Sequence, residues 1–300
     1  MGFAFCSGYA HLVQYEQPGF FRRRLKGLAA LLVNYWIILG AFSIISVLAG
    51  NGSTMPGSPL EFIKHVFLLE KNYNGAWWYL YTYVIIVLIS PALLKFVKRF
   101  PHVTLGISFI VYSIAFYIRF YVESTSWLLG NFGPFGMTVF EYVLGAYFFQ
   151  FRFFSRMWKM WRRNEKICTV VSIIMLIVMT YGHTKIIGNL FIAPATGLVI
   201  ITIFHFWSKP QVVERAFLLL GEHSTNMWLT HMFFFSTLFV DFVYTAKYPL
   251  LIFALLLAIT LPLSMVLKMI QVPMTRVLEK RIGSFEKNNY RLTSNGDRRG

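Results

Sequence analysis

Residues 132–166 read FGPFGMTVFEYVLGAYFFQF and then RFFSRMWKMWRRNEK. The first part carries one charge, Glu141, and the second carries six cations, Arg152, Arg156, Lys159, Arg162, Arg163 and Lys166. An apolar stretch of about 20 residues is the length a helix needs to cross about 30 Å of hydrocarbon. A cationic connector directly after it is the kind retained on the cytoplasmic side. This stretch predicts one membrane span with its inner edge marked.

The pattern repeats along the chain. Apolar runs at 28–49, 76–97, 103–122, 132–151, 167–182, 186–207, 223–240 and 247–269 alternate with polar gaps. Of the 28 Lys and Arg residues, 23 lie before the first run, in every second gap after it, or in the C-terminal tail. The opposite set holds only Lys64, Lys71, Arg119, Lys185 and Lys247. The expected fold is therefore all-α: a polytopic transmembrane helix bundle of about eight full spans plus a partial N-terminal one, with its C-terminus cytoplasmic. One membrane domain is expected over residues 1–281. A polar, disordered cytoplasmic tail is expected over 282–300.

Composition agrees, with 57% hydrophobic and 13% charged residues. That charged share is about half of a soluble domain's. The net charge of +16 does not indicate nucleic acid, because the cations are dispersed at membrane edges rather than gathered on one soluble face. The lipid bilayer with its anionic headgroups is partner enough for a basic inner rim, which would also suit a polyanionic cytoplasmic ligand. Cys6 and Cys168 give neither a disulfide framework nor metal-ligand spacing, so no metal is expected. No GxSxG, Walker, HExxH or CxxC pattern occurs.

The start of the chain reads as incomplete. The apolar piece from Gly2 to Val13 is too short to cross alone and has no signal-peptide features. It leads into the basic group Arg22, Arg23, Arg24 and Lys26. The expectation is the inner end of a span arriving from outside, with at least one helix upstream of Met1. The alternative is a segment that lies in the interface or re-enters the membrane.

Polar residues within spans are costly, and each is a candidate site. Glu141 lies mid-span, where it serves either chemistry or an interhelical hydrogen bond. Arg119 and Glu123 read as an i,i+4 pair at an outer edge. Segment 218–240, LLLGEHSTNMWLTHMFFFSTLFV, is the richest. Ser224, Trp228 and His231 follow there at i, i+4, i+7 on one helical face. His231 offers an imidazole for acid–base work, or an interhelical hydrogen bond. Pro194 is expected to kink a span at its middle, and Asn131 to Gly136, NFGPFG, to form a flexible outer entry. The outer loop, about 50–75, is expected to carry a surface helix over Phe62 to Leu69.

Several segments in order resemble the acyltransferase-3 family of integral-membrane O-acyltransferases. They are Phe3 to Tyr9 (FAFCSGY), Phe21 to Lys26 (FRRRLK) with Tyr35-Trp36, Ala76 to Leu80 (AWWYL) with Ser90-Pro91, and Leu220 to Ser224 (LGEHS) through Trp228 to His231 (WLTH). The resemblance implies transfer of an acyl group, commonly acetyl, to a hydroxyl of a cell-surface or exported carbohydrate. It implies acetyl-CoA or another acyl-CoA as co-substrate, no tightly bound cofactor, and a bacterial plasma membrane. Arg22, Arg23, Arg24 and Lys26 match the family's donor-phosphate motif, although its second Arg is here Lys26, which loses the bidentate fork. Ser7, Gly8, Trp77, Trp78, Ser224 and Trp228 fall on its other motifs. The family's catalytic Arg/His pair, on its first helix, has no counterpart here. The resemblance thus leaves the catalytic base unassigned, with His231 and Glu141 as the residues to weigh, and makes activity depend on a preceding segment. A non-enzymatic carrier or flippase for lipid-linked sugars, and an inactive membrane scaffold, stand as the alternatives.

Overall fold

A computed structural model describes residues 2–123, 126–185, 190–207 and 209–296, with the side chains of 165, 183, 184, 193 and 278–296 outside the description. The expected tail, 282–300, lies outside the described side chains. The helices are α1 (Gly2–Gln14), α2 (Phe20–Leu48), α3 (Pro59–Val66), α4 (Trp78–Arg99), α5 (Pro101–Tyr121), α6 (Trp127–Gln150), α7 (Phe153–Arg163), α8 (Glu165–Lys185), α9 (Ile192–Phe206), α10 (Gln211–Met232), α11 (Val240–Tyr244) and α12 (Pro249–Gly296). A π-helical turn, Phe233–Thr237, follows α10. No strand occurs among the described residues.

Helices dominate because a backbone in hydrocarbon must satisfy its own hydrogen bonds. Four are long and apolar enough to cross a membrane: α2, α4, α5 and the Pro249–Val277 part of α12. A fifth span arises if α7 and α8, bent by 118° at their junction, count as one.

Two compact units divide the chain, Met1–Arg24 with Trp78–Pro210, and Leu25–Trp77 with Gln211–Gly300. In the first, α1 packs on α6 through glycines. A Cβ on Gly8 would overlap the backbone carbonyl of Tyr142, and one on Gly145 would overlap that of Phe5. Small residues that let backbones approach are the usual device of helix pairs in lipid. The α5–α6 contact works the same way, and it overturns one expectation. NFGPFG is not a loop: it lies inside α6, where Gly133 and Gly136 are buried against Ala115 and Arg119 or Val111. Pro134 is accommodated within that helix. Pro194 likewise does not kink a span at mid-length; it stands in the first turn of α9, where a missing N–H costs nothing. Helix α5 ends at Tyr121 and Val122 is extended, so Arg119 and Glu123 are not an i,i+4 helical pair.

In the second unit the loop at about 50–75 folds onto α2. Tyr35 donates from its hydroxyl to the carbonyl of His65 at 2.6 Å, and Trp36 from its indole to that of Val66 at 3.0 Å. The helix expected over Phe62 to Leu69 starts earlier, at Pro59, because Ser58 and Glu61 form a capping box. The Ser58 backbone N–H donates to the Glu61 carboxylate at 2.8 Å and holds its carboxyl below the ordinary value of 4.5. A depressed carboxyl stabilises the folded loop above its unfolded pKa and loses that contribution as pH falls through the folded one. Amide exchange across α3, corrected for intrinsic rates, should therefore show protection falling as pH drops through and below the ordinary carboxylate range. Glu61→Gln should remove this pH response; a response that survives it would assign the effect elsewhere.

Candidate functional site

In the first unit, Ser7 is half-buried and Gly8 buried on α1, facing α6. Glu141 is buried one turn before Gly145. Tyr79 of α4 and Tyr112 of α5 lie near it. The Tyr83 hydroxyl comes within reach of Ser7. Beside them, the His11 ring is 2.8 Å from the Tyr142 hydroxyl. Trp78 begins α4 and is 42% exposed. A carboxyl, hydroxyls and an imidazole thus occupy a helix interior, a polar lining where each group has reason to be held in place.

The turn at 15–19 joins this interior to a basic end. Arg23 donates to the Pro18 carbonyl at 2.5 Å and to the Gln17 side chain at 3.2 Å. Arg24 donates to the Gln14 side chain at 2.7 Å and lies over the Phe20 ring. Lys98 pairs with Glu16 and holds that exposed carboxyl below its ordinary value. Two members of the arginine group therefore secure their own turn. Arg22 is exposed, and Lys26, one turn farther along α2, is half-buried.

In the second unit, α10 carries two faces. Ser224, Trp228 and His231 share a half-buried side, as their spacing predicts. Ser224 spends its hydroxyl on the Gly221 carbonyl at 2.8 Å. The His231 Nδ1 is 2.7 Å from the Trp228 carbonyl. A carbonyl only accepts, so Nδ1 is the donor in this contact. Trp77 is fully buried, donating from its indole to the Leu229 carbonyl at 3.1 Å, while Asn74 donates to that same oxygen at 3.0 Å. Phe233 opens the π turn, stacked on Phe42 at 4.0 Å and edge-on to Trp77. The 50–77 segment is thus fastened two residues before His231, and the helix widens into a π turn just after it; π turns of this kind often mark functional positions.

The buried face of α10 is the one sequence reasoning missed. His223, Asn226 and Thr230 lie on it at i, i+3, i+7. The His223 Nδ1 is 2.8 Å from the Ser264 hydroxyl. Asn226 exchanges amide hydrogen bonds with Gln271, at 3.1 and 3.2 Å, and accepts another from Asn34 of α2. Among the described residues, no cluster of three or more His, Cys, Asp or Glu could hold a metal ion.

A family model described as an acyltransferase domain matches residues 1–269. The chain belongs to the acyltransferase-3 family. No curated protein and no solved structure matches it. Within this family member, Ser7 and Gly8 of α1 and Glu141 of α6 lie on helices that pack together at Gly8 and Tyr142, whereas Trp77, Ser224, Trp228 and His231 belong to the loop-fastened end of α10. The signal for the missed network was present in the polar residues at i, i+3, i+7 of α10. Their partners, 38 to 192 residues away, had no local mark.

Proposed function

We propose that this acyltransferase is a membrane-embedded O-acyltransferase of the bacterial plasma membrane, moving an acyl group, acetyl in the simplest case, from acyl-CoA to a hydroxyl of an exported or cell-surface carbohydrate. The family match over residues 1–269 carries the reading. The threading is that of about eight full spans plus a partial N-terminal one, with basic connectors and the C-terminus in the cytoplasm. The donor's phosphates rest on the basic group at the start of α2, and the acceptor enters the polar interior. The acceptor oxygen bonds the acyl carbon, the carbon–sulfur bond breaks, and the hydroxyl proton ends on the released thiol.

The test uses the protein as its own gene expresses it, in membrane vesicles with labelled acetyl-CoA and a carbohydrate acceptor. Label should enter the acceptor as a hydroxylamine-sensitive ester above the level of empty vesicles; label at background sinks the reading. Arg23 and Arg24 hold the 15–19 turn, so Arg22 and Lys26 are replaced instead, which leaves those turn contacts in place. A charge-assisted contact to phosphate is worth about 1.5 kcal/mol, so Arg22→Ala or Lys26→Ala should raise the donor KM about tenfold with kcat little changed. Lys26→Arg should keep KM at or below its starting value. Unchanged KM in both alanine variants would place the donor elsewhere.

A further inference from the structure

Behind α7 the first unit encloses a cavity of about 380 Å³. Met157 and Trp161 of α7, Ser172 and Met175 of α8, and Leu198 and Thr202 of α9 line it. Its size is that of a ligand pocket, about 300–1,000 Å³. Methionine walls adapt to irregular apolar shapes, which suits a flexible alkyl chain better than a shaped polar ligand. The cavity reaches the surface at Ile167, Val171 and Met175, apolar lining residues that stand exposed along α8. An occupant would arrive sideways from hydrocarbon.

The rim has the opposite character. Lys159, Arg162, Arg163 and Lys166 are exposed and adjoin in sequence the lining residues Met160, Trp161 and Ile167. They cluster at the corner where α7 meets α8 at 118°. An apolar slot bordered by four cations is complementary to an alkyl tail with an anionic head. We propose that this cavity holds one acyl chain of an anionic phospholipid whose phosphate sits on Lys159, Arg162, Arg163 and Lys166. A helix that is apolar on its inner face and cationic on its outer one is built to lie at a lipid surface. The inference depends on membrane embedding alone and stands whether or not acyl transfer is observed.

Trp161 reports on it. The chain is reconstituted with phosphatidylglycerol or phosphatidylcholine brominated on the acyl chains, and the quenching that Trp161→Phe removes is taken as the signal of the cavity. Each cation near an anionic headgroup is worth about fivefold in partition, so half-quenching should occur at least about tenfold lower in phosphatidylglycerol. Converting the four cations to Gln changes only exposed side chains, and it should bring the two lipids together even if Trp161→Phe fails to fold. Thr202→Phe, which fills the slot, should weaken quenching by both. Equal quenching of the unaltered chain by the two lipids would mean ordinary boundary lipid and overturn the proposal. Displacement of the brominated lipid by stoichiometric palmitoyl-CoA would also overturn it, assigning the slot to the donor's chain.

Discussion

Gly8→Leu and Gly145→Leu are each expected to cost about 3 kcal/mol or more and to lower Tm by about 10 °C, or to prevent a monodisperse protein from accumulating. The reason is backbone, not side chain. A Cβ at Gly8 overlaps the carbonyl of Tyr142, and one at Gly145 overlaps that of Phe5. Each glycine sits on the partner backbone three residues ahead of the partner's own glycine. Neither carbonyl can rotate away without breaking its helix, so α1 and α6 must separate. Gly8→Ala already adds the offending atom and should show most of the effect. Gly106→Ala in α5 is the contrast, since nothing lies within 4 Å of its Cβ position. It should be neutral or stabilising by up to about 1 kcal/mol, through helix propensity alone. Thermal unfolding in detergent, followed by size exclusion, reads both. Similar behaviour of Gly8→Ala and Gly106→Ala would mean that α1 and α6 are not in backbone contact.

Much of this fold was legible because hydrocarbon imposes one rule on every span. The apolar runs at 28–49, 76–97 and 103–122 lie within or close to α2, α4 and α5. What the runs do not encode is which face of a helix meets which neighbour. NFGPFG has the composition of a turn, and in water its glycines and proline would argue for one. In a helix pair those glycines are instead the flat surface on which Ala115 packs. The same limit applied to α10. Ser224, Trp228 and His231 share a side, as their spacing requires, but i, i+3, i+7 spacing links His223, Asn226 and Thr230 just as well, and periodicity cannot choose between two polar faces. The choice is made by Ser264 and Gln271 of α12 and by Asn34 of α2.

That choice gives the second large effect. Asn226→Leu should destabilise the chain by about 2–4 kcal/mol, because it strips partners from several buried groups at once. Gln271 loses both its amide bonds, the Ser264 carbonyl loses a donor at 3.4 Å, and the Asn34 amide loses its acceptor. The Asn34 side-chain oxygen is buried without a partner already. An isolated interhelical hydrogen bond in lipid averages only about 0.6 kcal/mol, so the size of the loss depends on the network failing as a unit. The sign of the next step distinguishes this from lost packing. Replacing all three amides together, Asn34→Leu with Asn226→Leu and Gln271→Leu, leaves no orphaned amide in the network. The triple variant should therefore be more stable than Asn226→Leu alone, whereas packing losses would accumulate and make it less so. The Ser264 hydroxyl, unlike its carbonyl, bonds His223 rather than the amides, so that side-chain pair should persist in both and keep α10 and α12 together at that level. If the triple variant unfolds below the single one, the three amides are not the coupled network drawn here, and His231 is held in place by the Asn74 and Trp77 contacts to Leu229 alone.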